Sequence, residues 1–145
     1  MNHILAIDYG LKRTGLAFAI YPILIAHPYK TVPTNQLESY LEEYIKKNNV
    51  KTILLGLPSK MNQNNTDVTS VINGYKLKLM QKYPEINVVM YDERFSSLIA
   101  KRTMIEGNFK KSDRQKKENV DVIAATIILQ DYIRSLEIKD HQKHK

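Results

Sequence analysis

The sequence predicts an α/β protein built on a five-stranded mixed sheet with helices on both faces. Three observations carry this. Two apolar runs, His3–Tyr9 and Thr14–Ile20, are separated only by a glycine-bounded turn. Amphipathic segments of helical period follow them, and two further short apolar runs alternate with those segments. Strands joined by tight turns form an antiparallel meander, whereas strands separated by helices pair in parallel through crossovers, so the sheet is mixed.

The first strand is His3–Tyr9 and the second Thr14–Ile20, with Gly10-Leu-Lys-Arg-Thr-Gly15 as the hairpin between them. A third strand is expected over Ile23–Ala26, held to a sheet end or edge by Pro22 and Pro28. From Asn35 to Asn48, Leu37, Tyr40, Leu41, Tyr44 and Ile45 recur at helical spacing, with Thr34 as N-cap. Lys51–Gly56 is a buried strand, followed by Leu57-Pro58 and an asparagine-rich loop, Asn62–Thr66. Val68, Val71, Ile72, Tyr75 and Leu79 mark a second helix that stops before Pro84, and Ile86–Tyr91 is the fifth strand. A helix is expected over Ser96–Ile105, closed by Gly107, then a basic connector over Lys110–Lys117 and a last helix from Lys117 to Arg134. Residues 1–138 read as one domain, and 139–145 as a basic, frayed tail.

Composition narrows the class. The chain has 145 residues, and no run approaches the roughly 18 apolar residues of a membrane span. The apolar start at Ile4 meets Asp8 too soon for a signal-peptide core. The absence of cysteine excludes disulfides, thiolate zinc sites and cysteine nucleophiles, and fits a cytoplasmic location. A formal charge of +7 favours polyanionic partners such as nucleic acid.

Three acids stand in telling places. Asp8 ends the first apolar strand and Glu93 follows the fifth, where ligands gather in sheets of this kind. Either alone is equally a turn former or a helix cap. Asp121 shares a helical face with Ala125, Ile128 and Tyr132. A carboxylate in such a face is neutral, bound to a cation, or salt-bridged, with Lys12, Arg13 or Arg94 as partners. Small Ala124 and Ala125 let the helix lie close to the strands and bring Asp121 towards Asp8 and Glu93. Three converging carboxylates repel one another unless positive charge sits among them, and hard oxygen donors select Mg²⁺ or Mn²⁺. A pair of such ions about 3.5–4 Å apart supports phosphodiester hydrolysis. Asp92 is not counted, since alternation along a strand turns it away from Glu93.

Basic residues surround these acids. Lys12 and Arg13 sit in the turn after Asp8, and Arg94 follows Glu93. The stretch 101–117 is the most basic of the chain and leads into Asp121; Lys110, Lys111, Arg114 and Lys117 in it are either phosphate contacts or a solvated surface.

Four segments, Asp8-Tyr-Gly-Leu-Lys-Arg-Thr-Gly15-Leu-Ala, Gly56-Leu-Pro58, Asp92-Glu-Arg-Phe-Ser96 and Val120-Asp-Val-Ile-Ala-Ala125, together resemble the YqgF family of ribonuclease-H-like proteins in order and spacing. The resemblance runs from about residue 3 to residue 134. It implies a ribonuclease-H-like sheet, a divalent-metal site at Asp8, Glu93 and Asp121, and a nuclease that trims the 5′ end of precursor 16S rRNA. The family was formerly assigned to Holliday-junction resolution, so branched DNA is the alternative substrate. The asparagine-rich loop and a connector lacking a second glycine depart from the family pattern.

Two rivals come from other classes. A phosphotransferase of the sugar-kinase and actin type also uses an Asp-x-Gly hairpin, but needs two domains to close on nucleotide. A non-catalytic RNA- or ribosome-binding module would keep the basic face without hydrolysis; on either reading pre-ribosomal particles are candidate partners. Acids beside a phosphate site argue against it, because they repel the ligand. The chain is expected as a monomer or a homodimer, a symmetric junction demanding the latter.

Overall fold

The computed structural model describes residues 2–57, 66–92 and 114–143, with side chains described for 2–56, 70–91 and 121–138. Within these, β1 (Asn2–Asp8), β2 (Arg13–Ile20) and β3 (Ile23–Pro33) are followed by a 3-10 turn (Thr34–Gln36) and α1 (Leu37–Lys47). Next come β4 (Asn49–Leu57), α2 (Thr66–Lys82), β5 (Asn87–Asp92) and α3 (Arg114–Lys143). The five strands form one sheet in the order β3-β2-β1-β4-β5. β1 pairs antiparallel with β2, and β2 with β3. β4 pairs parallel with β1 and with β5. This is the mixed sheet expected from the order of the elements.

The central strands are apolar on both faces because both faces are covered. On one face Leu5, Ile7, Leu16, Ile53 and Leu55 pack against Leu37, Leu41 and Tyr44 of α1 and Ile72 and Leu79 of α2. On the other, Ala6, Ala17, Ala19 and Leu54 meet Ala124, Ala125, Ile128, Leu129 and Ile133 of α3. Alanine facing alanine brings α3 close to the sheet, whereas α1 and α2 ride on larger side chains. α3 also holds the outer strand: Gln130 Oε1 accepts a hydrogen bond from the Ala26 N–H at 3.1 Å. Among the described residues, no helix is long and apolar enough to cross a membrane.

Several boundaries differ from the sequence reading. β3 runs on to Pro33 rather than stopping at Ala26. Pro28 does not end it, because β3 is an edge strand that pairs on one side only. A bulge also absorbs the irregularity: Leu16 pairs with Lys30 and Ala17 with Pro28, leaving Tyr29 as the extra residue. The last helix starts at Arg114, so the end of the expected connector is helical, as good helix formers from Arg114 to Glu118 allow. It continues to Lys143, through most of the segment 139–145 expected to fray. The helix expected over Ser96–Ile105 lies outside the described residues.

Candidate active site

Asp8 is the last residue of β1 and is only 6% exposed. Its register neighbours are Gly15 on β2 and Gly56 on β4. Residues directly paired across a sheet share a face, so Asp8 has a glycine on either side and no flanking side chain at its own level. Its face is that of Ala6 and Ala17, the one that α3 covers. A Cβ built on Gly15 would lie 2.0 Å from the backbone oxygen of Asp121, which means that α3 touches the sheet backbone there. Only glycine permits that approach. Asp8 and Asp121 are thereby drawn to the same end of the same sheet face.

Asp121 sits at the sheet-end extremity of the apolar stripe that continues through Ala125 and Ile128, and its side chain keeps 23% exposure. Of the alternatives open from sequence, the salt bridge is present: Arg13 Nε donates to Asp121 Oδ2 at 3.0 Å. The Arg13 side chain is 42% exposed, so a large part of it faces outward beside the acid. Lys12 is exposed in the preceding turn.

That turn is braced by residues the sequence reading did not single out for the site. A Cβ on Gly10 would meet the Arg13 carbonyl oxygen at 2.3 Å, so the chain folds back on glycine. The Thr34 N–H donates to the Lys12 carbonyl at 3.0 Å, and Thr34 Oγ1 donates to the Gly10 carbonyl at 2.6 Å. With that proton committed, Thr14 Oγ1 is the donor in its 2.9 Å bond to Thr34 Oγ1. Thr34 therefore does not cap α1, whose N-cap is Gln36 with no side-chain cap bond. The signal for this role was weak, since threonine before a helix ordinarily reads as a cap. Tyr9, next to Asp8, packs on Tyr75 of α2 with ring centroids 5.4 Å apart.

β5 ends at Asp92, paired with Leu57, one rung beyond the Gly56 that neighbours Asp8. Glu93 and Arg94 follow directly in the sequence and, with Lys110 and Lys111, lie outside the described residues. Arg114 and Lys117 fall in the first turns of α3. Among the described residues no three acidic or histidine side chains gather as a metal-holding group. The two described acids of the expected trio, Asp8 and Asp121, offer oxygen donors only, the set that hard divalent cations take.

The profile of the RuvX family, described as Holliday junction resolvase, matches residues 2–135. The chain belongs to the RuvX family. A relative from Bacteroides thetaiotaomicron, named "Putative pre-16S rRNA nuclease", is 45% identical over 93% of this chain and 98% of its own length. Another of the same name, from Phocaeicola vulgatus, is 44% identical over 93% of this chain and 97% of its own length. These agree with the YqgF resemblance, RuvX and YqgF being one family. Among solved structures, Thermus thermophilus RuvC in complex with a Holliday junction substrate superposes with a TM-score of 0.56. The match covers 92% of this chain and 96% of that one at 15% identity. At that identity the likeness concerns the fold, which is ribonuclease-H-like in both.

Proposed function

We propose that this RuvX-family protein is a divalent-metal-dependent nuclease that hydrolyses phosphodiester bonds in precursor 16S rRNA in the cytoplasm. The observation that carries the reading is the seating of α3 on Gly15, the residue paired with Asp8, at the position of Asp121. Two acids 113 positions apart by number, 8 and 121, thus share one sheet end. Asp8, Asp121 and Glu93 hold Mg²⁺ or Mn²⁺, two ions if the site follows the usual pattern of phosphodiesterases. Bound there, the metal supplies activation of the attacking water and stabilisation of the leaving oxygen. The names of the relatives support the rRNA substrate.

The chain's own cations handle the substrate. Arg13 steadies the Asp121 carboxylate and leaves guanidinium surface open to a phosphate, while Lys12 extends the same positive edge from a turn fixed by Thr34. Arg94, Lys110, Lys111, Arg114 and Lys117 continue the contact along the backbone of the nucleic acid. A four-way DNA junction is the second reading, favoured by the description of the matching family.

The test incubates the pure protein with end-labelled precursor 16S rRNA, unstructured RNA and a four-way DNA junction, with Mg²⁺, Mn²⁺ or chelator. Cleavage of the precursor is expected only with metal, and Asp8→Asn and Glu93→Gln should each reduce it about a hundredfold or more. Cleavage confined to the junction would move the protein to recombination. No cleavage of any substrate, or cleavage that survives both substitutions, would leave a binding module of the same fold.

A further inference from the structure

On the sheet face opposite Asp8, an open groove of about 460 Å³ is lined by rings from three strands and α1. His3, Phe18 and His27 form a near-parallel run across β1, β2 and β3. His3 and Phe18 centroids are 6.3 Å apart with planes at 26°, and Phe18 and His27 centroids are 5.4 Å apart at 29°. The run ends at exposed His27 on β3, an edge strand of the five described. Tyr29, 40% exposed, stands edge-on to Phe18 at 6.1 Å and tilted against Tyr44 at 5.4 Å.

The bulge explains how Tyr29 comes to be there. In a regular strand consecutive residues face opposite ways. Because Tyr29 is the extra residue between two paired positions, its ring joins the same face as Lys30. The Lys30 amine lies 4.8 Å from the Tyr29 ring centroid and 4.6 Å from that of Tyr40. Bulges of this kind re-aim side chains. Among the described residues Lys30 makes no ion pair, whereas neighbouring Lys47 is bound to Glu43 at 2.8 Å.

We infer that this groove binds unpaired nucleotides of a single-stranded nucleic acid, with bases stacked on Tyr29 in the groove and on His27 beside it at the β3 edge, and a phosphate on Lys30. Exposed rings interleaved with a cation are the chemistry by which proteins hold single strands without reading sequence. A duplex, with its bases already stacked, has no face to give to such a site. The inference rests on the nuclease reading in one respect, that the strand held here belongs to the substrate. Lys30 is paired with Leu16, one rung from the Gly15 that pairs with Asp8. Two strand spacings, about 10 Å, separate β3 from Asp8 across the sheet. An unpaired flank leaving the cleavage end reaches the groove by passing round the β3 edge.

The experiment measures binding with chelator present, so that no turnover enters. Fluorescence anisotropy with a labelled single-stranded oligouridylate and with an RNA duplex of equal length is compared for the wild type, Tyr29→Leu and Lys30→Gln. Each variant is expected to bind the single strand about tenfold more weakly and the duplex equally well. Tyr29 is exposed and Lys30 half-buried on an edge strand, so melting curves recorded beside the binding data separate any loss of packing from loss of affinity. As a second measurement, an iodouridine-substituted single strand should photocrosslink to the peptide containing His27 and Tyr29. Unchanged single-strand affinity in both variants, no single-strand binding by the wild type, or crosslinks only elsewhere would overturn the inference. Since cleavage is never read, a failed nuclease reading leaves this result standing on its own.

Discussion

Gly15 and Asp121 meet backbone to backbone: a Cβ on the glycine would stand 2.0 Å from the aspartate's carbonyl oxygen and 2.4 Å from its carbonyl carbon. Neither atom belongs to a flexible side chain that could move aside. Gly15→Ala must lift α3 from the sheet or bend β2, at a cost of about 1–3 kcal/mol or more. Urea unfolding measures it. A loss below ~0.5 kcal/mol would mean that the helix is not seated on this glycine.

Thr34 links the hairpin turn to the start of α1 through one hydroxyl. Thr34→Val removes its bonds to the Gly10 carbonyl and to Thr14, whose hydroxyl lies in a fully buried residue. The expected loss is about 1–3 kcal/mol, the usual cost of a buried polar group left unpaired. With the turn loosened, the KM for nucleic acid should rise more than kcat falls. Thr34→Ser restores both quantities if the hydroxyl is what counts.

The metal site proposed at Asp8 is testable without any substrate. A ligand that binds only the folded state stabilises it, by about 2.7 kcal/mol at a hundredfold excess over Kd. Mg²⁺ or Mn²⁺ should therefore raise the melting temperature of the wild type and leave that of Asp8→Asn unmoved. Equal shifts in the two proteins would place the cation elsewhere.

The Tyr75 hydroxyl is buried with no hydrogen-bond partner among the described residues, as is that of Tyr83. Tyr75→Phe should therefore be neutral or stabilise by about 1 kcal/mol. Burial also pushes the Tyr75 phenol well above its ordinary pKa of 10.0. The unfolded chain releases that proton first, so this contribution to stability is intact below pH 10 and fades as pH rises towards the folded-state value. Chemical unfolding at increasing alkaline pH should show a shallower decline in Tyr75→Phe than in the wild type.

What could be read from sequence follows from range. The apolar runs at Ile4–Ile7 and Thr52–Leu55 and the helical repeat from Leu37 announce themselves locally, and each appears where expected. The length of β3 was hidden because Pro28 is a breaker only where both sides of a strand must pair. Asp121 was legible from its place among alanines on a helical face. Its partner was legible only as one of three, Lys12, Arg13 or Arg94: Arg13 is 108 residues away, and periodicity carries no information over that distance to choose among them. Thr34 was misassigned because capping and loop bracing ask for the same residue type. Glu93 and the basic residues 94, 110 and 111 lie outside the described residues, so their place rests on the sequence pattern alone.

The ion pair between Arg13 and Asp121 has a bearing on when, as well as where, the protein can work. Its two halves lie 108 residues apart in the sequence, one at the start of β2 and the other in α3. A chain that stops before α3 contains Asp8 and the basic turn, yet nothing seats on Gly15 and the alanine face of the sheet stays bare. A truncated chain thus keeps the basic turn without the second acid that α3 brings to Asp8's end of the sheet. The site proposed at that sheet end is therefore complete only once α3 has docked, which makes the seating of one helix the condition for the whole arrangement.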